Sequence, residues 1–299
     1  MAIFSCLDCP VNTGREPPYL RVVLDSKGLS DDDCPMEEGS LPINPEDALL
    51  LAADSARVLL ESGGETYRAE EVAVAVVSSL GGVEAECYAT PTGVTISFAG
   101  IDGHIHTIVK RIKKRAMHLE RVARVDSLSR ELASGALDFT AAANELDSIE
   151  RLPGRGLITS LAAAAAGAGF FTLLFGGAWN DAFVAAATGA LVSRFPPALA
   201  RRRIPDFIVN LVAGAVATLS CLAANRIGLA SHADATVIGV LMLLVPGIAV
   251  TNAIRDTISG DLVSGVARGA DAFMSAAAIS VGAGAAYQLW RFITAGFLP

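Results

Sequence analysis

The chain has 299 residues, a net charge of −8 and a hydrophobic fraction of 52%, but only 18% charged residues. Soluble domains carry about 25% charge, so a wholly soluble protein is excluded, and the acidic balance lacks the basic stripe that nucleic acid requires. Five cysteines are too few and too scattered for a disulfide framework, and Cys6-x-x-Cys9 has no second pair, so it reads as an incidental spacing.

Composition changes near Pro153. Residues 1–44 form an acidic tail with Pro17, Pro18, Pro35 and Pro42, the run Asp31-Asp32-Asp33 and Glu37-Glu38. So little apolar surface predicts disorder. The first ten residues lack the basic stretch and apolar core of a signal peptide, which predicts a cytoplasmic start. Residues 45–155 predict a small cytoplasmic α+β domain. Helical spacing over 48–60 stops at Gly63-Gly64. Thr66 is expected to cap a second helix that carries Glu70 and Glu71 in its first turn and runs to Leu80. Alternating segments at 83–88, 93–98 and 104–109 are separated by Thr90-Pro91-Thr92-Gly93 and Gly100-Ile101-Asp102-Gly103, which predicts a small antiparallel sheet. Helices over 116–134 and 139–149 complete the domain.

Residues 156–299 predict a membrane α-helical domain of about five transmembrane helices: 157–175, 178–193, 204–224, 235–254 and one within 263–293. Each is near the ~20 residues that cross the hydrocarbon. Arg194, Arg201, Arg202 and Arg203 follow the second span, and Arg255 and Arg268 flank the fourth-to-fifth connection. The first-to-second loop, Gly176-Gly177, has no basic residue, and the third-to-fourth has only Arg226. The positive-inside rule then predicts a multi-pass protein of the plasma (inner) membrane, N-terminal domain cytoplasmic and C-terminus outside. Gly167, Gly169, Gly189, Gly214, Gly282 and Gly284 predict helices that touch one another closely, because small residues supply packing where lipid gives no hydrophobic drive.

Chemistry gathers around the fourth span. Pro246-Gly247 removes a backbone donor mid-helix, either as a packing kink or as the break that forms substrate sites in transporters. Thr251, Asn252, Arg255, Asp256 and Ser259 follow, with Asn252, Arg255/Asp256 and Ser259 on one face. Asp206 and Asn210 open the third span, and Arg268 and Asp271 open the fifth. These residues read either as solvated helix ends or as a polar vestibule for a small zwitterion or anion, with an aspartate able to exchange a proton. The vestibule is favoured for Asn252, Arg255 and Asp256. His104 and His106 share a strand face but have no third ligand at suitable spacing. No catalytic, nucleotide or cofactor motif occurs, so no enzyme, cofactor or metal is expected. The basic stretch 110–115, with Arg121 and Arg124, reads as a solvated helix face or as a patch attracted to anionic lipid headgroups or to the acidic tail.

The run Leu243-Leu244-Val245-Pro246-Gly247, then Thr251-Asn252-Ala253-Ile254-Arg255-Asp256, then Ser259-Gly260-Asp261-Leu262-Val263-Ser264-Gly265 and Arg268 closely resembles the signature of the threonine/serine exporter (ThrE/YjjP-type) family. Gly63-Gly64-Glu65-Thr66-Tyr67-Arg68-Ala69-Glu70-Glu71, Ala89-Thr90-Pro91-Thr92-Gly93 and Phe175-Gly176-Gly177-Ala178-Trp179-Asn180-Asp181-Ala182 resemble further motifs of that family, in order. The resemblance implies a secondary exporter of threonine and serine, or of a dicarboxylate such as succinate in split relatives, coupled to the proton gradient. It implies the N-terminal-half component of a split transporter. The partner would be a separate small membrane subunit or further copies of the chain, to which Gly265 and Gly269 offer a G-x-x-x-G face. Candidate substrate-binding or coupling residues are Pro246, Gly247, Asn252, Arg255, Asp256, Asp261, Arg268, Asp271 and Asp206. Gly64, Glu65, Thr66, Arg68 and Glu71 form the cytoplasmic motif. The competing reading is a membrane-tethered sensor whose cytoplasmic domain binds a ligand.

Overall fold

Asn44 opens the first helix of the computed structural model, which describes residues 44–100, 104–113, 116–154, 156–195 and 204–295. The acidic tail with Cys6 and Cys9, the tip of the second turn, Lys114, Arg115 and Arg201 to Arg203 lie outside the described residues. The chain divides into two units, Met1–Leu152 and Pro153–Pro299.

In the first unit, the Asn44 side chain accepts from the Glu46 N–H and Pro45 starts helix α1 (Pro45–Glu61), where a missing donor costs nothing. The helix ends as the glycine pair suggests. Gly63 has φ +88°, and Gly64 donates to Leu59 O at 2.9 Å, the Schellman closure. Helix α2 (Thr66–Ser79) follows, and here the expectation needs correcting. Glu65, with extended backbone, occupies the cap position and makes no side-chain capping bond, while Thr66 is already the first helical residue. Strands β1 (Val83–Thr90), β2 (Gly93–Ala99) and β3 (Ile105–Arg111) form an antiparallel sheet in the order β1-β2-β3. Register is set by Tyr88 opposite Thr95 and Ile96 opposite Ile108. Helices α3 (Leu119–Ala133) and α4 (Phe139–Glu150) close the unit. Alternation sends Val94, Ile96 and Phe98 inward, onto a core that includes Leu59, Leu60, Val76, Val77, Leu128 and Ile149.

The second unit has helices α5 (Leu157–Leu174), α6 (Trp179–Val192), α7 (Asp206–Arg226), α8 (Ala233–Met242), α9 (Gly247–Ile258) and α10 (Leu262–Ala295). Three, namely α5, α7 and α10, are long and apolar enough to cross a membrane. The fourth expected span is not one helix. It breaks between Met242 and Gly247, and α8 and α9 meet at 53°, so together they supply at most one more crossing. Helix α6, at 14 residues, spans about 21 Å at 1.5 Å per residue, short of the hydrocarbon thickness. Among the described residues the protein is therefore mostly helical, with three or four candidate spans. Its helices meet at glycine. A Cβ on Gly239 would lie 2.7 Å from the Thr172 backbone nitrogen, one on Gly214 would lie 2.6 Å from Ile279 O, and one on Gly282 would lie 2.0 Å from Leu211 O. Ala168, Ala185, Ala213, Ala217, Cys221, Val192 and Val240 fill the space between.

Candidate functional site

Helices α9 and α10 form a tight antiparallel hairpin. Gly260, at φ +97°, allows Asp261 N–H to reach Asp256 O at 2.9 Å and its own N–H to reach Thr257 O at 3.2 Å. The helices touch where Gly265 lies on Ala253 and Thr257; a Cβ there would be 3.0 Å from Ala253 O. This contact faces the polar side chains of α9 onto those of α10.

Asp256 is fully buried, and Arg268 Nε approaches its Oδ2 at 3.1 Å. Asn252, one turn earlier on α9, and Ser264, one turn earlier on α10, are buried beside them. An ion pair in this setting loses hydration on both partners, and the attraction offsets that loss only if they stay together. Asp261 joins the group from the turn. Its Oδ2 is shielded from solvent and meets no hydrogen-bond donor among the described residues. Burial, and then the charge of Asp256, hold its carboxyl above the ordinary aspartate value.

The expected trio is thus rearranged. Asn252 and Asp256, spaced i and i+4, share the inward face, but Arg255 is exposed, and the guanidinium on Asp256 comes from Arg268. Asp271 is exposed one turn beyond Arg268. Pro246 and Gly247 lie at the break, upstream of the buried pair. Asp206 is exposed at the start of α7. The α7–α10 contact at Leu211 and Gly282 lies about 20 Å along α10 from Arg268 and about 7 Å along α7 from Asp206. Asp206 is not drawn into the cluster.

In the first unit, Gly64, Glu65 and Thr66 are buried in the α1–α2 turn. A side chain on Gly64 would meet Leu59 at 2.1 Å. Arg68 pairs with Asp126 of α3 at 2.5 Å. Glu71 is exposed, and it is Glu70 that works: it accepts the Ala89 N–H at 2.7 Å and ties α2 to β1. The basic stretch divides between elements: Lys110 and Arg111 belong to β3, Arg121 and Arg124 to α3, and Lys110 pairs with Asp54 of α1 at 3.1 Å. His106 stacks on Phe98, centroids 5.6 Å apart.

One buried charge escaped the sequence reading. Asp181, fully buried in the first turn of α6, accepts the N–H of Ala178 (2.8 Å), Ser231 (2.6 Å) and His232 (3.0 Å), and His232 Nδ1–H at 2.8 Å. An acid in a first helical turn was a readable signal; its partners fifty residues on were not.

Two observations point outward from the chain: glycine-tight helices and a buried Asp–Arg pair beside a break. The profile of the family described as "Putative threonine/serine exporter" (ThrE) matches residues 51–290. A "Probable threonine/serine exporter" of Mycobacterium tuberculosis is 29% identical over 76% of this chain and 43% of its own length. A "Threonine/serine exporter" of Corynebacterium glutamicum is 26% identical over 80% of this chain and 50% of its own. The chain spans about half the length of these curated relatives. No solved structure matches it. With four-fifths of its residues under that profile, the chain belongs to the threonine/serine exporter family, a family of membrane transporters and not of enzymes.

Proposed function

We propose that this chain is a subunit of a secondary transporter that exports small amino acids, threonine and serine foremost, at the expense of the proton gradient. The observation that carries the reading is the fully buried Asp256 paired with Arg268 directly after a broken helix. A plain membrane anchor gains nothing from such a pair, whose burial in an apolar phase is costly. A zwitterion fits it. Its carboxylate competes with Asp256 for Arg268, its ammonium group takes the released Asp256, and the Asn252 amide serves either. Succinate has two carboxylates and no ammonium, so it would engage Arg268 and leave Asp256 unsatisfied. That favours the amino acid.

The proposed topology has five crossings: α5, α7, the bent α8–α9 pair and α10, with the short α6 crossing where the bilayer thins to match it. The first unit is cytoplasmic and the C-terminus outside, as the arginine asymmetry indicates. The partners in this proposal are a separate small membrane subunit or further copies of this chain, joined through helix faces rich in small residues. Proteoliposomes loaded with labelled threonine, serine or succinate, with and without such a partner, test the reading. Threonine efflux should appear and Asp256→Asn should abolish it while insertion stays normal. Wild-type efflux from that variant would make Asp256 a structural residue, and no amino-acid efflux under either condition would sink the function.

A further inference from the structure

We infer that Asp261 is the carboxyl that takes up and releases the coupling proton, while Asp256 remains the fixed anion of the Arg268 pair. This rests on the export reading above and assigns its two acids different work.

Asp256 is fully buried and has a guanidinium 3.1 Å away. Protonating it would strand Arg268 in an apolar site, so its charge is held. Asp261 is half-buried in the Ser259–Leu262 turn, where water reaches part of the side chain while Oδ2 stays shielded, with no donor to it among the described residues. An ionised oxygen in that position is unpaid for, and a protonated one is not. The nearby Asp256 carboxylate also disfavours a second negative charge. The charged groups brought to this end of the hairpin are Arg255 and Asp256 from α9, and Arg268 and Asp271 from α10. Arg255 and Asp271 face outward, which leaves Asp256 as the buried charge that Asp261 must oppose. The raised carboxyl value agrees with that arrangement.

The step is a single proton transfer: a hydronium ion gives its proton to the Asp261 carboxylate, leaving a carboxylic acid and water, and the reverse returns it. With the proton on, the Asp256–Arg268 pair has no second charged carboxylate beside it from the turn. With the proton off, Asp261 sets a second anion near Asp256, and a substrate carboxylate competes for Arg268 on different terms. Substrate occupancy and protonation are linked in this way.

Two measurements test the assignment on the full chain. In proteoliposomes, Asp261→Asn should lose the response of labelled threonine flux to an imposed pH gradient yet keep threonine–threonine exchange at equal pH. Asp261→Glu should keep both, and Asp256→Asn should lose both. In detergent, infrared titration should show a carboxyl band with its midpoint above the ordinary aspartate range, absent in Asp261→Asn and present in Asp256→Asn. An unchanged gradient response in Asp261→Asn, loss of exchange along with it, or a band that titrates in or below the ordinary range would overturn the assignment. Wild-type liposomes with no threonine flux, with the partner as well as without it, would instead refute the export reading, and the infrared midpoint alone would then decide Asp261.

Discussion

The two units are built inside out with respect to each other. In the first, large aliphatic side chains such as Leu59, Leu60, Ile96 and Ile149 are fully buried, and charges such as Arg130 and Glu120 stay at the surface. In the second, the interior is alanine, glycine and threonine, while Phe170, Leu174, Phe183, Phe273 and Phe292 are each at least 70% exposed. The solvent explains the reversal. Water drives large apolar groups together, whereas lipid is indifferent to them and rewards close backbone approach instead. The same amino acid therefore carries opposite weight on either side of Pro153.

That contrast can be broken deliberately. The largest effect is expected from Gly282→Leu, whose Cβ would start 2.0 Å from the Leu211 carbonyl oxygen. Backbone cannot yield as a side chain can, and overpacking of this severity should cost more than about 3 kcal/mol. Gly284→Leu, two residues along the same helix and open to space, should leave the melting temperature of the purified chain nearly unchanged. Equal shifts for the two variants would deny that α10 packs through glycine.

Next comes the aliphatic core. Leu59→Ala should destabilise α1 and α2 by about 2–5 kcal/mol, read as lost hydrogen-exchange protection of those helices. Phe170→Ala removes a larger side chain from the lipid-facing surface and should stay within about 0.5 kcal/mol. A large loss of protection in α5 on that change would mean that Phe170 is covered by a partner.

The smallest effect sharpens the aqueous side. Asp126 lies between Arg68 and Arg130. Partial burial, the largest single influence, would raise its carboxyl, but the two guanidinium groups outweigh it and hold the value below the ordinary one. A lowered value means stability that is present above the unfolded-state value, about 3.9, and lost as pH falls through the folded-state value. Asp126→Asn should flatten that acid-side loss in α2 and α3, by no more than about 1 kcal/mol because the arginines are partly solvated. A steeper loss in the variant would reverse the sign.

Local signals were legible wherever their cause lay within one turn of chain. The Gly63-Gly64 stop, the alternation of Val94, Ile96 and Phe98, and the Pro246-Gly247 break all follow from backbone chemistry within a few residues. Position within the helical turn was harder. Glu70 and Glu71 are adjacent in sequence, yet only Glu70 faces β1. Arg255 neighbours Asp256, yet 100° of helical rotation separates them. Arg268 is visible as a basic residue, but its role depends on the hairpin that Gly260 sets, and Asp206 shares with it only a predicted membrane face, which fixes no contact. Asp181 was hidden because its four donors come from Ala178, Ser231 and His232, and a long-range partner leaves no periodic trace.

Asp181 also has a bearing on which sequences can serve at its place. Every group pointing at it is a donor, so the position asks for a side chain that only accepts. Asparagine has the right shape, but its amide nitrogen would face an N–H with an N–H. Glutamate has the right chemistry but is one carbon longer, in a space with no exposure to absorb it. Serine and threonine reach at most one of the two donor pairs. Of the twenty residues encoded by the genetic code, one satisfies the geometry. A saturation library at position 181, sorted for folded protein at the cell surface or in membranes, should return aspartate alone, where the alanine-rich positions around it accept several substitutes.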